Sequence, residues 1–307
     1  MSGAGSTGGR AFRPTLARLL LAATAIGSIA AIAAPAAAQE RPIAIGVFAY
    51  QGERAAVSDW SPLLDYLKQA LPEHDFRLDT YDADELRKAA AEHRVDLVIT
   101  NPGYYVTLEN ELGLSRIATL DSPPGTSSRA IGSVVITRAD RQDLRELADL
   151  TGKTVAAVSP QAFGGYLVAA RELLKLGIDP ESDLRETRFL GLPMSRIVEA
   201  VQRGEVDAGI VRMCLPEQMA SLGQVRLSEL RVLSPRAEEG GVCGLSTPLY
   251  PNWPIAVTRQ TDPALAKAVA RALLAMPAVA GGISWSVPAD YQPVLELYRD
   301  LRLGPYA

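Results

Sequence analysis

Short apolar runs alternate along this chain with longer stretches in which apolar residues recur every three or four positions, and the alternation continues from Ile43 to Leu301. The first kind predicts buried strands, the second amphipathic helices. Ile43 to Ala49 reads as a central strand ending in the turn Tyr50-Gln51-Gly52-Glu53. Trp60, Leu63, Leu64, Leu67 and Leu71 then fall at helical spacing, with Ser58 or Asp59 as cap and Pro62 in the first turn. On that spacing Trp60 is a core residue, not a ligand platform. Phe76 to Tyr81 predicts a second strand, Asp84 to His93 a second helix and Val95 to Thr100 a third strand. This βαβαβ run implies a sheet covered by helices on both faces. Asn101-Pro102 follows as an N-cap with proline in the first turn, opening a helix that runs through Leu108 to Leu112.

Leu120 to Ser128 is a loop by composition, followed by Arg129 and a strand from Ile131 to Thr137. The charged stretch Arg138 to Arg145 leads into a second alternating unit. There Thr154 to Val158, Arg188 to Leu190 and Val206 to Val211 read as strands, and Phe163 to Leu176 and Ser195 to Arg203 as helices, the former ended by Gly177. Pro248, Pro251 and Pro254 make residues 247–254 stiff and extended, as a return crossing would be. Ile255 to Thr258 then rejoins the first sheet, and Pro263 to Ala275 and Tyr291 to Leu301 are helices packed on it. The prediction is an α/β chain of two lobes, each a mixed sheet flanked by helices. Lobe 1 spans 39–137 and 249–307, lobe 2 spans 138–248, and two hinge crossings lie near Thr137 and Leu249.

The first 38 residues stand outside this pattern. Arg10, Arg13 and Arg18 precede an apolar, alanine-rich core from Leu19 to Ala34, and Ala36-Ala37-Ala38 offers a cleavage site before Gln39, the pattern of an export leader. The core is short and weakly hydrophobic for a membrane anchor, and no later run is long enough to span a bilayer. A soluble periplasmic protein, not inserted in the membrane after cleavage, is expected. Cleavage after Ala38 would leave 269 of the 307 residues and take the net charge from −4 to −7, since the leader holds three arginines and no acids. That balance argues against nucleic acid or an anionic membrane surface as partner, so an anionic ligand must be attracted locally. Two cysteines, Cys214 and Cys243, point to a disulfide in an exported protein; separate buried thiols or a redox-reversible pair are the alternatives. His74 and His93, at predicted helix ends, are not at ligand spacing from a cysteine, so no metal is predicted.

Candidate chemistry gathers where predicted strands end at helix starts. Such junctions aim backbone N–H groups and the positive end of a helix dipole beyond the sheet's carboxyl edge, where anions collect. Asn101 to Tyr105 is one junction; Ser159 to Tyr166 is the other. Gly164 and Gly165 let the backbone approach a ligand, though a tight turn needed only for packing accounts for them equally well. Tyr50, Tyr104, Tyr105 and Tyr166 offer rings and hydroxyl donors, with one of the 104/105 pair facing the core. Arg129 and Arg212 are the cations best placed to grip an oxyanion, Arg212 at the carboxyl end of its strand, with a structural salt bridge as the competing role of each. Asn101, Ser159 and Phe163 complete the candidate set. Gly152-Lys153-Thr154 is not a nucleotide loop, because the lysine precedes a strand and Leu147 stands where a first glycine belongs. With no Gly-x-Ser-x-Gly elbow, no metal cluster and no histidine near the junctions, binding is expected instead of catalysis, without a cofactor.

These residues carry a resemblance that covers the chain beyond its leader nearly end to end. Trp60 with Leu63 and Leu67, Asn101 to Tyr105, Phe163 to Tyr166, Gly204 to Gly209, Val211 to Cys214, and Cys243 with Ser246-Thr247 and Leu249 to Pro251 resemble the phosphate, phosphite and phosphonate group of ABC-transporter substrate-binding proteins. They are similar, more closely still, to the periplasmic sensor domains of tetrathionate-type histidine kinases. The resemblance implies the two-lobed type II periplasmic binding fold and a small anion held between the lobes. Phosphonate binders in the group hold the anion with a run of serines and threonines at the second-lobe helix start. Here Ser159-Pro160-Gln161-Ala162-Phe163 keeps one serine, which suits a larger or more polarizable anion, and the paired cysteines point by analogy to sulfur oxyanions. With no kinase or transmembrane helix before Ala307, the expected partner of this monomer is an ABC permease or, alternatively, a separate histidine kinase ectodomain.

Overall fold

Two sheets, joined by a two-stranded ribbon, absorb the alternation of strand and helix periods. The computed structural model describes residues 41–121, 130–237, 243–277 and 283–307, so the leader and Arg129 lie outside the described residues. In chain order the first part contains β1 (Ile43–Phe48), α1 (Glu53–Ala70), β2 (Phe76–Tyr81), α2 (Ala83–Ala91), β3 (Leu97–Ile99), α3 (Pro102–Leu112) and β4 (Ser115–Asp121). Next come β5 (Ala130–Ile131), β6 (Ser133–Arg138), β7 (Thr154–Ala157), a π-helical turn (Phe163–Leu167) continuing into α4 (Val168–Lys175), β8 (Glu186–Phe189), α5 (Ser195–Gln202), β9 (Ala208–Arg212), α6 (Leu215–Ser221) and β10 (Leu230–Val232). The chain returns through β11 (Tyr250–Pro251) and β12 (Pro254–Val257), and closes with α7 (Pro263–Ala275), β13 (Ser284–Ser286) and α8 (Gln292–Asp300). One sheet has the order β13-β4-β12-β3-β1-β2, the other β10-β6-β9-β7-β8, and β11 pairs with β5 as the ribbon.

The same device locks the parallel centre of both sheets. In the first, Asp96 precedes β3 and is 7% exposed; its carboxylate accepts the Ala44 N–H of β1 at 2.9 Å and two Arg41 N–H groups at 2.6 and 2.9 Å. Its carbonyl receives the Thr258 N–H at 3.0 Å and the Thr261 hydroxyl at 2.7 Å, tying in the segment after β12. In the second sheet Asp207 precedes β9 and accepts the Thr154 N–H of β7 at 2.8 Å and the Arg141 guanidinium at 2.6 Å. Each aspartate follows a valine, and each reaches the first backbone N–H groups of the neighbouring parallel strand. Slipping the register by one residue would strand a partly buried carboxylate, so the clamp specifies pairing as well as stabilising it.

The sequence reading meets this fold closely at α3, β2 and α7 and departs from it at definite places. The first helix begins at Glu53, not near Ser58, and Pro62 lies inside it. Glu53 to Ala56 are good helix formers, and burying Ala56 in line with Trp60, Leu63 and Leu67 extends the apolar stripe by a turn. Leu120 and Asp121, read as loop, end β4, which pairs with β12 and β13. Its mixed pattern of Arg116, Thr119 and Asp121 hid it. The strand predicted from Ile131 to Thr137 is broken at Gly132: Ile131 belongs to the ribbon, while Ser133 to Ile136 pair with β9 in the second sheet, Ser133 opposite Arg212, and Thr137 pairs with β10. Gly132 thus separates the ribbon strand from the second sheet, and the other ribbon strand, β11, follows directly on Leu249. α6, β10 and β13 are too short to carry a period.

Cys214 and Cys243 are joined, closing a loop of sequence separation 29. Cys214 sits at φ 65°, where the chain turns from β9 into α6. On the loop-entropy estimate the bridge contributes about 3–4 kcal/mol, so C214S should lower denaturant-derived stability by that order relative to the oxidised wild type, with no difference once both are reduced. For the Asp207 clamp, burial works to raise the carboxyl pKa, but the Thr154 N–H and the Arg141 guanidinium outweigh it and hold the group below its ordinary range. Its stabilisation is present above the unfolded-state value and lost as pH falls through the folded one. Asp207→Asn should therefore cost roughly 1–3 kcal/mol in urea unfolding near neutral pH, and the gap should close in acid.

Candidate functional site

The carboxyl ends of β1, β3, β7 and β9 open onto one cleft of about 750 Å³ between the two sheets. From the second sheet come Val158-Ser159, the turn Gln161 to Gly165, Gly191-Leu192, Met194 and Arg212; from the first, Phe48 to Tyr50, Asp82 to Asp84 and Asn101. Ile131 of the ribbon and Trp253, just after it, form the rest.

The helix starts on the two sides are built differently. At α3 the Asn101 side chain accepts the Tyr104 N–H at 2.8 Å, and Pro102 has no N–H, so the end is largely satisfied by its own residues. At the second, the chain enters through a π turn whose first closing bond runs from the Leu167 N–H to the Ala162 carbonyl at 3.0 Å. No side chain caps it. The N–H groups of Phe163, Gly164, Gly165 and Tyr166 precede that bond and remain for an outside acceptor. The turn is held from behind: the Ser133 hydroxyl donates to the Gly164 carbonyl at 2.7 Å, and the Val158 N–H to the Gly165 carbonyl at 3.2 Å. A Cβ on Gly165 would lie 2.5 Å from Val158 Cγ2, so close packing alone already requires that glycine.

Arg212 ends β9 beside this turn. Its guanidinium donates to Gln218 Oε1 at 3.3 Å, and among the described residues no carboxylate pairs with it. Opposite stand the rings of Phe48, Tyr50 and Trp253, with centroids 5.5 Å apart for Tyr50–Trp253 and 6.4 Å for the stacked Phe48–Trp253 pair. Burial pushes the Tyr50 phenol above its usual range, against the lowering effect of the Arg212 charge across the cleft, so at neutral pH the hydroxyl is an O–H donor. Asp82 caps α2 by accepting the Glu85 N–H at 2.8 Å. With Asp84 it makes that corner of the cleft negative, leaving the turn and Arg212 as the positive end.

Of the residues singled out in the sequence, Tyr50, Asn101, Ser159, Phe163, Gly164, Gly165 and Arg212 line the cleft together. Tyr104, Tyr105 and Tyr166 do not. Tyr104 donates its hydroxyl to the Ala83 carbonyl and rests on Phe48, and burial raises its pKa to about 12. Tyr105 is fully buried, donating to Glu109 at 2.7 Å, receiving Arg116 at 3.3 Å, and packing edge-on against Tyr291. The Asn101 cap sets the phase of α3 and so turns Tyr105 into the core. Tyr166 turns to the other side of α4, edge-on to Phe189 at 5.1 Å. Trp60 is core, 7% exposed between Trp253 and Trp285. The reading missed Phe48, which looked like one more strand residue, and Trp253, whose proline-rich neighbourhood drew attention to backbone stiffness alone.

A family profile described as "ABC transporter, phosphonate, periplasmic substrate-binding protein" matches residues 45–298. The chain belongs to this periplasmic binding-protein family. The chain is also 38% identical over 263 residues to the tetrathionate sensor histidine kinase TtrS of Salmonella typhimurium, a match covering 85% of this chain and 44% of the kinase. It thus spans less than half the length of that relative. Among solved structures, a binding-protein component of an ABC phosphonate transporter from Pseudomonas aeruginosa superposes with a TM-score of 0.64 at 16% identity, covering 86% of this chain and 88% of that one. PhnD1 of Prochlorococcus marinus in complex with methylphosphonate gives 0.61 at 12%, covering 85% and 98%, and the aliphatic sulphonate binding protein SsuA of Escherichia coli 0.56 at 16%, covering 86% and 94%. These establish the type II periplasmic binding fold. The family and these neighbours are binding proteins, and among the described residues no helix is long and apolar enough to cross a membrane.

The two helix starts touch through Phe163: a Cβ on Gly103 would lie 2.8 Å from Phe163 Cδ2 and would also strike the Tyr298 side chain. Gly103→Ala should therefore cost about 1–3 kcal/mol in denaturant unfolding. Gly164→Ala, whose Cβ meets Ile131 Cγ2 at 3.0 Å, should cost less.

Proposed function

We propose that this is an exported solute-binding protein that captures a small anion, phosphonate-like or a sulfur oxyanion, in the cleft and presents it to an ABC permease. The observation that carries the reading is the uncapped turn at Phe163 to Tyr166 beside Arg212, a set of N–H donors and a cation with no carboxylate partner among the described residues, facing one space. Asn101, Ser159 and the Tyr50 hydroxyl supply further polar contacts, and Arg129 is a candidate to reach the same anion. Binding closes the cleft: donors from both sheets engage one ligand only when the sheets approach, and the β5–β11 ribbon serves as the hinge. The leader at residues 1–38 directs the chain to the periplasm, where it acts as a monomer, binding its ligand without turning it over.

Within the anion class, two observations favour sulfur over phosphorus. The wall of Phe48, Tyr50 and Trp253 offers polarizable surface facing a turn that keeps Ser159 alone of the hydroxyl run of phosphonate binders, and the 38% identity is to a tetrathionate sensor. That identity also supports a second reading, a periplasmic ligand-sensing subunit of a two-component system that meets a histidine kinase ectodomain and responds to tetrathionate or a related sulfur oxyanion.

The test is thermal unfolding of the protein with phosphate, phosphite, methylphosphonate, sulfonates, thiosulfate and tetrathionate. An anion at a hundred times its dissociation constant adds about 2.7 kcal/mol, a rise of a few degrees. A rise with a sulfur oxyanion alone supports the sensing class of ligand, and a flat response to all of them overturns the cleft reading. Arg212→Ala should weaken the responding anion roughly tenfold to a hundredfold by calorimetry, the loss of one charge-assisted hydrogen bond, while leaving the unliganded midpoint nearly unchanged. Unchanged affinity would remove Arg212 from the site.

A further inference from the structure

Among the described residues, two charged side chains are buried, Asp96 and, on α4, Arg171, which is 8% exposed. A buried guanidinium needs partners, and those of Arg171 come from elsewhere in the fold. Its Nε donates to Asp300 Oδ2 at 2.7 Å, one terminal nitrogen donates to the Tyr250 hydroxyl at 2.9 Å, and the other lies 3.6 Å from Glu296 Oε2. Asp300 and Glu296 belong to α8, Tyr250 to the ribbon. Tyr250 is itself 2% exposed, and its ring meets Phe163 edge-on, with centroids 5.6 Å apart and planes at 87°. One helix therefore grips one tyrosine at two points: Phe163, which opens the uncapped turn, holds the ring, and Arg171, about two turns later, holds the hydroxyl.

We propose that Arg171 and Tyr250 are positioning residues that fix the anion-binding turn on the ribbon and couple its occupancy to the C-terminal helix α8. The proposal rests on the reading of that turn as the anion site. Neither residue lines the cleft, so neither touches the ligand. Rotating the turn away from the ribbon would pull Arg171 from the phenol and from both carboxylates together, leaving a buried cation without partners. The turn, the ribbon and α8 are therefore tied to one another through this one side chain and its neighbour Phe163. An anion that orders the N–H groups of residues 163–166 also orders residues 292–300, none of which lines the cleft. This gives the protein a ligand-dependent surface away from its ligand.

Amide hydrogen exchange of the full chain with sodium tetrathionate, thiosulfate or methylphosphonate tests the coupling. In the wild type, the anion that protects 163–166 should also protect 292–300. In Arg171→Met the affinity should fall about tenfold and protection of 292–300 should no longer follow that of the turn, with Arg171→Lys recovering part of both. Tyr250→Phe keeps the ring and removes the hydroxyl, and it carries the test if Arg171→Met does not fold; a drop in affinity with uncoupled exchange is again expected. Protection of 163–166 without 292–300 in the wild type overturns the coupling while leaving the cleft reading intact. Variants that lower the unliganded melting point but bind and exchange as the wild type make Arg171 structural only. If no anion protects 163–166, the cleft reading falls and the proposal with it.

Discussion

The structure depends on two aspartates that hold parallel strands in register. Parallel pairing gets no help from a tight turn, because the chain must leave the sheet, form a helix and return before the next strand is laid down. Asp96 and Asp207 supply the missing local constraint: each carboxylate accepts N–H groups from the start of the neighbouring strand and neutralises an arginine beside it. The clamps sit at the amino ends of the central strands. With those ends fixed, the carboxyl ends of β1, β3, β7 and β9 are fixed as well, and these are the ends that open on the cleft. A constraint on the far side of each sheet thus determines the geometry of the side that faces the cleft.

What the sequence disclosed follows from which interactions are local. Asn101-Pro102 announces α3 because cap and proline act within one turn, and the cap forms as read, between Asn101 and the Tyr104 N–H. The same logic brought Gly164, Gly165 and Arg212 to the cleft, since a strand's carboxyl end and the following helix start are neighbours by construction. Side-chain direction was less legible. Three tyrosines near these junctions point away, because a helix turns each successive residue by about a hundred degrees and only packing decides which faces outward. The π turn before α4 was invisible, and so was the aromatic wall, which joins Phe48 and Tyr50 to a tryptophan two hundred residues later in the chain. Contacts that arise only when the return crossing closes the fold have no signature in any one segment.

The asymmetry of the two helix starts is itself informative. Two identical uncapped starts facing each other would concentrate positive potential from both sides, and a lone phosphate-sized ion would be gripped at its centre. Here one start is satisfied by Asn101 and Pro102 and bordered by Asp82, while the other stays open beside Arg212. The potential runs from positive to negative across the space, and the rings lie along the way. Such a gradient favours a charged group at one end and offers dispersion and ring contacts along the rest of the space. It suits a ligand longer than one oxyanion.

Burying Arg171 is expensive, and the fold meets that cost with partners from the ribbon and α8 instead of from its own helix. A local pair would have satisfied the charge without tying distant elements together, as Lys175 and Glu172 do one turn further along α4, but they do so at the surface. The buried charge instead binds the element that opens on the cleft, the strands the chain uses to cross between sheets, and the last helix of the chain. Apolar residues in its place would pack as well in many arrangements, whereas a guanidinium with a phenol and two carboxylates around it accepts few. A directional, buried anchor at this point therefore restricts how the turn, the ribbon and α8 can sit against one another, beside the element that opens on the cleft.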